Sequence, residues 1–519
     1  MERLLGVIRK VWGFETLRPL QREAMEAALG GRDSLVVLPT GGGKSLCYQA
    51  PALLSDRLTV VVSPLIALMK DQVDGLRRRG IPGAFLNSSQ GPAERGRVEE
   101  GIARGEYKLV FVSPERFSSP TFDRALSPGR VGSFAIDEAH SISHWGHDFR
   151  PDYRALGRLK REFPRASVHA FTATATERTR EDIIEQLGLA DPVVLVGDFF
   201  RPNLRYRVLR RRDAIEDVLA EVRRRPGQPG IVYAIRRNDV EGLARGLKGS
   251  GIRAAPYHAG MEDRERTRTQ DRFARGEIEV VVATVAFGMG IDRADIRFVL
   301  HAAMPRSIEH YQQETGRAGR DGKAADCVLY YSGQDYGVWK SILENQETGD
   351  LENKLRLLSQ MYRFTTGSRC RHRALVEYFG QRWKGAGCGA CDVCTEAREA
   401  MAGSGEIARA ILTGVVKTGQ RYGAAYLAEV LSGEATPRVL GRGGDRGPVF
   451  GMLAPRPKRA VLGWIEQLVD QGALRPEGEY GVLRLTERGS RVLRSIEPAA
   501  LYEVGVGRRD SRTPRRRPR

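Results

Sequence analysis

The segment LPTGGGKSLCYQ, residues 38–49, sets three glycines, a lysine and a hydroxyl in an order suited to nucleotide phosphates. Consecutive glycines let backbone N–H groups wrap around phosphate oxygens, and a helix opening after them adds its positive dipole end. Thr40, Gly41, Gly42 and Gly43 would form the cradle, Lys44 would reach the β- and γ-phosphates, and Ser45 would ligate Mg²⁺. The match to G-x-x-x-x-G-K-[ST] is imperfect, because Leu38 stands where the first glycine belongs. Asp137 and Glu138 close the apolar run SFAI and supply the other half of such a site. One carboxylate holds the metal and the next orients the attacking water.

Directly after these acids comes HWGHDFRPDY, residues 144–153, which packs bulky aromatics and a cation beside a hydrolysis site. Trp145 and Phe149 either offer stacking faces to unstacked bases, each worth roughly 1–3 kcal/mol, or pack into the core of their own domain. His147 and Arg150 are expected to bond phosphate or to reach back toward the nucleotide. A base landing on this stretch would reposition the hydrolytic acid, giving a coupling free energy between two adjoining sites.

Four of the six cysteines, Cys370, Cys388, Cys391 and Cys394, form the pattern C-x17-C-x2-C-x2-C. In a reducing compartment this spacing argues for a metal, not disulfides. Four thiolates suit a closed, tetrahedral Zn²⁺, and an iron–sulfur cluster is the rival. Cys47 and Cys327 sit in apolar surroundings and read as buried thiols.

These groups need a scaffold, and 519 residues suggest three or four domains. At 41% hydrophobic residues the chain can build real cores, and its net charge of +19 favours a polyanionic partner, nucleic acid before membrane. A merely basic, arginine-rich surface is the plainer account of that charge. MERLLGVIRK lacks the features of a signal peptide, and the longest apolar run, LTVVVSPLIALM (58–69), is too short to span a bilayer and contains Pro64. The expectation is a cytoplasmic protein with no membrane association.

SLVVLP (34–39), LTVVVSP (58–64), KLVFVSP (108–114), SFAIDE (133–138) and SVHAFTAT (167–174) are nearly all-apolar strands, as a parallel sheet covered on both faces requires. GIVYA (230–234), EVVVAT (279–284), RFVLHA (297–302) and CVLYYS (327–332) form a second series. The predicted fold class is α/β: two tandem doubly wound parallel-sheet lobes, 1–203 and 204–335, with no sequence repeat between them. A helical metal-binding subdomain (336–400), a smaller helix-and-hairpin domain (401–500) and a basic, disordered tail (501–519) follow.

With DEAH at 137–140 the chain resembles superfamily 2 helicases, and HWGHDFRPDY is similar to the aromatic-rich loop of RecQ DNA helicases. The resemblance covers about residues 10–500. It implies RecA-like lobes, an adenine-reading element at Phe14, Arg18 and Gln21, and strand-contacting motifs at SPLIALMKDQ and VSPERF. TAT (172–174) matches the motif that links hydrolysis to strand movement. Gln313, Arg317 and Arg320 fall on Q-x-x-G-R-x-x-R, placing an arginine finger within reach of a γ-phosphate. A zinc subdomain and a winged helix are implied as well. RVLGRGGDRGP and PRPKRA would clamp duplex phosphates, and Tyr480 either wedges against the last base pair or packs in the wing.

The sequence departs from the family pattern at AIRRND (234–239) and at Arg293 and Ala294, and too few residues follow the winged helix for a further helical domain. The implied activity is an ATP- and Mg²⁺-dependent 3′→5′ DNA helicase in recombination and repair. It would act as a monomer on single-stranded, duplex and forked DNA, with single-strand-binding or repair proteins as partners. An RNA helicase and a zinc-stapled DNA-binding regulator with a vestigial ATPase are the alternatives.

Overall fold

The computed structural model describes residues 1–127, 129–285, 287, 293–345, 350–395, 400–477 and 481–502. The chain forms two compact units: Met1–Met361 with His372–Ala386, and Tyr362–Arg371 with the chain from Gly387.

The first unit holds two parallel sheets. Lobe one contains β1 (Ser34–Val37), β2 (Leu58–Val62), β3 (Gly83–Leu86), β4 (Leu109–Val112), β5 (Val131–Ile136), β6 (Ser167–Thr172) and β7 (Val193–Val196). Their order is β3-β4-β2-β5-β6-β1-β7, with Ile136 opposite Ala170 and Val37 opposite Thr172. The segments after β5, β6 and β1 therefore emerge side by side at the carboxyl edge, where open α/β sheets bind ligands. Those segments carry Asp137–Glu138, Thr172–Thr174 and the glycine loop.

Lobe two contains β8 (Leu204–Arg210), β9 (Gly230–Tyr233), β10 (Ala254–Tyr257), β11 (Val280–Ala283), β12 (Phe298–His301) and β13 (Ala325–Tyr331), in the order β10-β11-β9-β12-β13-β8. Central strands are buried on both faces: β2 and β6 expose none of their residues. The α/β reading therefore holds, with four strands that the apolar runs did not reveal. These four, β3, β7, β8 and β10, are the edge strands of the two sheets. Edges need no unbroken apolar run: β8 alternates buried Leu204, Tyr206 and Val208 with more exposed arginines, and β10 contains Pro256.

Helices beyond β13 also belong to this unit. Trp339 donates to the Met304 carbonyl at 2.7 Å, and Phe379 stacks on Phe199 of lobe one with ring centroids 4.3 Å apart.

The second unit contains helices Ser404–Lys417, Ala424–Ser432 and Lys458–Asp470 around one apolar core that includes Ile411, Leu427, Trp464 and Leu483. The antiparallel hairpin β14 (Leu474–Glu477) and β15 (Val482–Leu485) completes a winged-helix domain, and Gly423 bridges to Val482. Among the described residues, no helix is long and apolar enough to cross a membrane.

Lobe one depends on one buried acid. Asp33, 4% exposed, accepts from the Val168 and Ala190 amides at 2.9 Å each and from Lys160 Nζ at 3.0 Å. It thereby ties the start of β6 and the approach to β7 to the start of β1. Asp33→Ala would strand a lysine and two amides, and we expect a loss of about 3–5 kcal/mol. A lowered midpoint for lobe-one unfolding and faster hydrogen exchange at Val168 and Ala190 would report it.

Candidate nucleotide and strand-binding site

The glycine loop leaves β1 and turns into the helix Lys44–Leu54. Gly41 and Gly43 have φ of 82° and 78°, a left-handed backbone that glycine adopts without penalty. Lys44 Nζ donates to the Leu38 carbonyl at 3.1 Å, so the residue that breaks the glycine pattern still serves the loop through its backbone. Burial lowers the Lys44 ammonium, while Glu138 and Asp137 oppose that shift. The Ser45 hydroxyl engages Tyr48. Gln21 reaches the loop from behind, donating to the Gly43 carbonyl at 3.1 Å and accepting from the Arg18 amide at 2.8 Å. Phe14 stays 51% exposed, an aromatic face open to a planar ligand. The loop and these donors suit a nucleoside triphosphate.

Across β6 from the loop, the Asp137 amide extends the ladder to the Val62 carbonyl at 2.8 Å, and the Asp137 carbonyl accepts from Tyr153 at 2.9 Å. Burial, and then Glu138 beside it, push the Asp137 carboxyl up to about 7. A divalent cation would supply the positive charge that its ionised form lacks. Glu138 has φ 47° and ψ 43°, a left-handed conformation costly for glutamate, and strain of this kind concentrates at functional sites. Its Oε2 lies 3.3 Å from Nδ1 of the buried His140, and the same nitrogen is 2.9 Å from the Thr172 hydroxyl. The Thr174 hydroxyl accepts from Gln313 of lobe two at 3.4 Å. Side chains thus run from the acid, through TAT, into the helix Ile308–Thr315.

Lobe two meets the glycine loop closely. Arg320 Cγ stands 3.0 Å from where a Cβ on Gly41 would sit, and a Cβ on Gly316 would come within 3.3 Å of Thr40. Arg317 instead bonds the Tyr233 hydroxyl inside its own lobe. The linker between lobes sets this loop: Arg201 donates to the carbonyls of Gly316, Ala318 and Gly319 at 3.0, 2.8 and 2.7 Å, and Asn203 to Gly319 at 2.9 Å. Neither residue stood out in the sequence, because their work is to cap carbonyls more than a hundred positions away.

In the aromatic loop, Trp145, His147, Phe149 and Arg150 are all half-buried. His147 stacks on His140 with centroids 4.3 Å apart and planes at 15°, and meets the edge of His310 at 4.6 Å. Burial lowers all three imidazoles, so they are neutral at physiological pH. Arg150 turns to Asp148 at 3.0 Å. Phe149 stacks on His144 at 4.0 Å, and the His144 carbonyl accepts from Asn353 at 2.9 Å. The Arg178 guanidinium covers one Trp145 face, 3.1 Å from the ring centroid. Such a contact contributes roughly 0.5–1 kcal/mol where exposed, less than the roughly 1–3 kcal/mol of a stacked base. The aromatic faces are thus neither buried in the core nor bare; they carry replaceable partners. His140, His310, Arg178 and Asn353 were missed in the sequence, since they lie outside the loop or read as part of DEAH.

In the second unit the four cysteine sulfurs lie within 4.8 Å of one another, with Cys391 and Cys370 4.0 Å apart. Thiolates bonded at about 2.3 Å to one tetrahedral Zn²⁺ sit roughly 3.8 Å apart. A cubane cluster gives each thiolate its own iron and sets the sulfurs farther apart, so the geometry favours zinc. The Ala390 and Arg371 amides point at Cys388 and Cys391 at 3.4 and 3.5 Å, and Arg371 pairs with Asp392 at 3.0 Å.

In the winged helix, two cations expected to clamp phosphate are already engaged. Arg438 and Lys458 both pair with Glu429, at 2.9 and 2.5 Å. Tyr480 lies outside the described residues, as do residues 286 and 288–292 of the ATVAFGMGIDRADIR motif.

A phosphate loop, a carboxylate pair and an arginine from a second lobe converging on one cleft define a two-lobed nucleotide-driven motor. Residues 18–183 match the DEAD/DEAH box helicase family and 211–322 the helicase conserved C-terminal domain. Residues 333–395 match the RecQ zinc-binding family, and 404–506 the RQC domain. The chain is 42% identical over 500 residues to an ATP-dependent DNA helicase RecQ of Haemophilus influenzae, covering 96% of this chain and 80% of that one. It is 37% identical over 515 residues to its Bacillus subtilis namesake, covering 98% and 86%. Solved structures show the likeness in fold alone. Mycobacterium smegmatis helicase Lhr, bound to single-stranded DNA and AMP-PNP, has a TM-score of 0.53 at 19% identity, over 95% of this chain and 62% of that one. Helicase MrfA bound to DNA has a TM-score of 0.55 at 21% identity, over 74% and 59%. The chain belongs to the RecQ family of superfamily 2 helicases.

Elemental analysis should find one zinc per chain, and Cys391→Ser should lose it with local unfolding around Cys370, since metal binding and folding are coupled here. A brown protein absorbing near 400 nm would instead indicate iron. A pH effect is expected beside this site. Burial raises the Glu466 carboxyl to about 7, only partly offset by Arg363. A raised folded value means the ionised form is disfavoured in the fold. Stability of the second unit should therefore fall as pH rises from about 4.5 to 7, and Glu466→Gln should flatten that slope in thermal melts.

Proposed function

We propose that this chain is an ATP-dependent DNA helicase that moves 3′→5′ along a single strand and separates duplexes during recombination and repair. The observation that carries this reading is the contact series Trp145 loop–His147–His140–Glu138. It gives an arriving base a short physical route to the hydrolytic acid.

Lys44 binds phosphate, Ser45 and Asp137 hold Mg²⁺, and Glu138 orients the attacking water. Phe14, Arg18 and Gln21 read the adenine, and Thr40 and the three loop glycines cradle the phosphates. Mg²⁺, when bound, neutralises charge developing on the transferred phosphoryl group. Arg320 at the loop and Arg317 behind it stabilise the same charge, and Gln313 reports the state of the site to lobe two through Thr174. Closure with ATP and opening after hydrolysis step the lobes, 1–203 and 204–335, along the strand.

Trp145, His147, Phe149 and Arg150 contact the unpaired strand. The winged helix (401–500) engages the duplex, with Tyr480 as the wedge, and the zinc subdomain (336–400) holds its own fold through the metal. The basic tail, 501–519, tethers DNA electrostatically. The enzyme works as a single chain in the cytoplasm, at the nucleoid, alongside single-strand-binding and repair proteins.

Strand displacement on duplexes with either a 3′ or a 5′ tail tests the reading. Wild type should unwind 3′-tailed DNA and leave 5′-tailed and RNA duplexes paired, and Lys44→Ala should do nothing. Trp145→Ala should bind ATP normally but lose strand-stimulated phosphate release, and Arg320→Ala should slow release by about 10³-fold or more. Phosphate release that ignores added single strands would end the motor reading.

A further inference from the structure

Arg178 is the second residue of the helix Glu177–Leu187, exposed, and held at its backbone by the Thr176 cap, whose hydroxyl accepts from the Thr179 amide at 3.3 Å. Among the described residues no carboxylate lies within ion-pair distance of it; its guanidinium rests instead on the Trp145 indole, 3.1 Å from the centroid. The neighbouring contacts differ. Arg154 stands 5.6 Å from the Phe149 centroid and is tied to Gln186 at 2.9 Å, and Phe149 is already stacked on His144. At Trp145, by contrast, a planar cation that among the described residues has no carboxylate within ion-pair distance lies on the indole.

We infer that Arg178 stands in for a nucleobase: it occupies the Trp145 face while no strand is bound and must leave before a base can stack. This rests on the proposed strand-binding role of Trp145 and deepens it. A flat guanidinium and a flat base compete for one π-face, and the base makes the stronger contact, so the cover is removable but must be displaced each time. Because the side chain is long and exposed, it can swing off without moving its helix. Arg178 is thus a positioning residue that sets how much unpaired DNA is needed to engage the loop, and it lowers the preference for bases over bare phosphates, because only a base has to displace it. A phosphate chain without bases leaves the Arg178–Trp145 contact in place and does not meet that cost.

The test compares fluorescence-anisotropy affinities for an oligothymidylate and for an abasic oligomer of equal length, at fixed salt. Removing a cation weakens both electrostatically, so the ratio of the two affinities is the readout. Arg178→Ala should raise that ratio about threefold, the size of one exposed cation–π contact. In a Trp145→Ala background the same substitution should leave the ratio unchanged. A ratio that stays level or falls in Arg178→Ala would overturn the proposal, and so would an equal rise without Trp145. Binding is read apart from hydrolysis, so a failure of strand-stimulated phosphate release, which sinks the motor reading, leaves this measurement interpretable.

Discussion

The contact on which the rest of this structure depends is the stack of His147 on His140, with His140 Nδ1 3.3 Å from Glu138. Glu138 sits in a left-handed conformation that costs a glutamate free energy and persists only where its surroundings over-determine it. The surroundings here are explicit. Asp137 before it is fixed to β2 and Tyr153, and His140 after it is fixed to Thr172. An acid held in a strained backbone between two anchored neighbours has few positions available, so a small push on His140 has a defined consequence. In the proposed mechanism the aromatic loop would supply that push, because it is the next segment of chain and its His147 ring already lies on His140.

The same economy governs the lobes. Thr172 ends β6, between the strands that carry the phosphate loop and the acids, and meets both sides: its hydroxyl lies 2.9 Å from His140 Nδ1 and its carbonyl accepts from the Leu38 amide. Gln313 reaches Thr174 from the other lobe, and His310 from the same helix meets His147 edge-on. One helix of lobe two therefore senses the hydrolytic acid and the strand loop together. Arg201 and Asn203 then fix the segment that presents Arg320.

Much of this was legible in the sequence, and the limits have physical causes. Buried parallel strands announce themselves as apolar runs, so β1, β2, β4, β5 and β6 and four strands of lobe two were readable. Edge strands β3, β7, β8 and β10 were not, because one free edge relaxes the demand for continuous apolar residues. Phosphate loops and cysteine ligands are local patterns with fixed spacing, and the cysteines do converge on one point. Covers and props are different. Arg178, Asn353 and Arg201 work across 33, 209 and 115 positions in the chain, and nothing in their own neighbourhoods marks them. The glycine pattern misled in a small way: Leu38 breaks it, yet only its backbone carbonyl is needed to hold Lys44.

Net charge is the weakest of the sequence clues, and the structure says why. Many of the arginines serve carboxylates of their own chain: Glu221 receives Arg207, Arg224 and Arg225, Asp326 receives Arg205 and Arg225, and Arg297 holds Asp321. Guanidinium groups suit this work, since a planar fork can satisfy two acceptors at once. Five arginines here meet three carboxylates, so most of their charge is answered within the chain and not offered to a polyanion. The segment RRDSRTPRRRPR alone carries seven arginines against one aspartate, close to a third of the net charge of +19. An overall sum of charge therefore mixes struts with contacts. Other arginines meet different groups: Arg320 lies over the glycine loop, Arg201 on backbone carbonyls, and Arg178 on an indole. In the proposed mechanism each occupies a place where a phosphate or a base would change what it touches, and that exchange of partners, more than the amount of charge, would convert binding into movement.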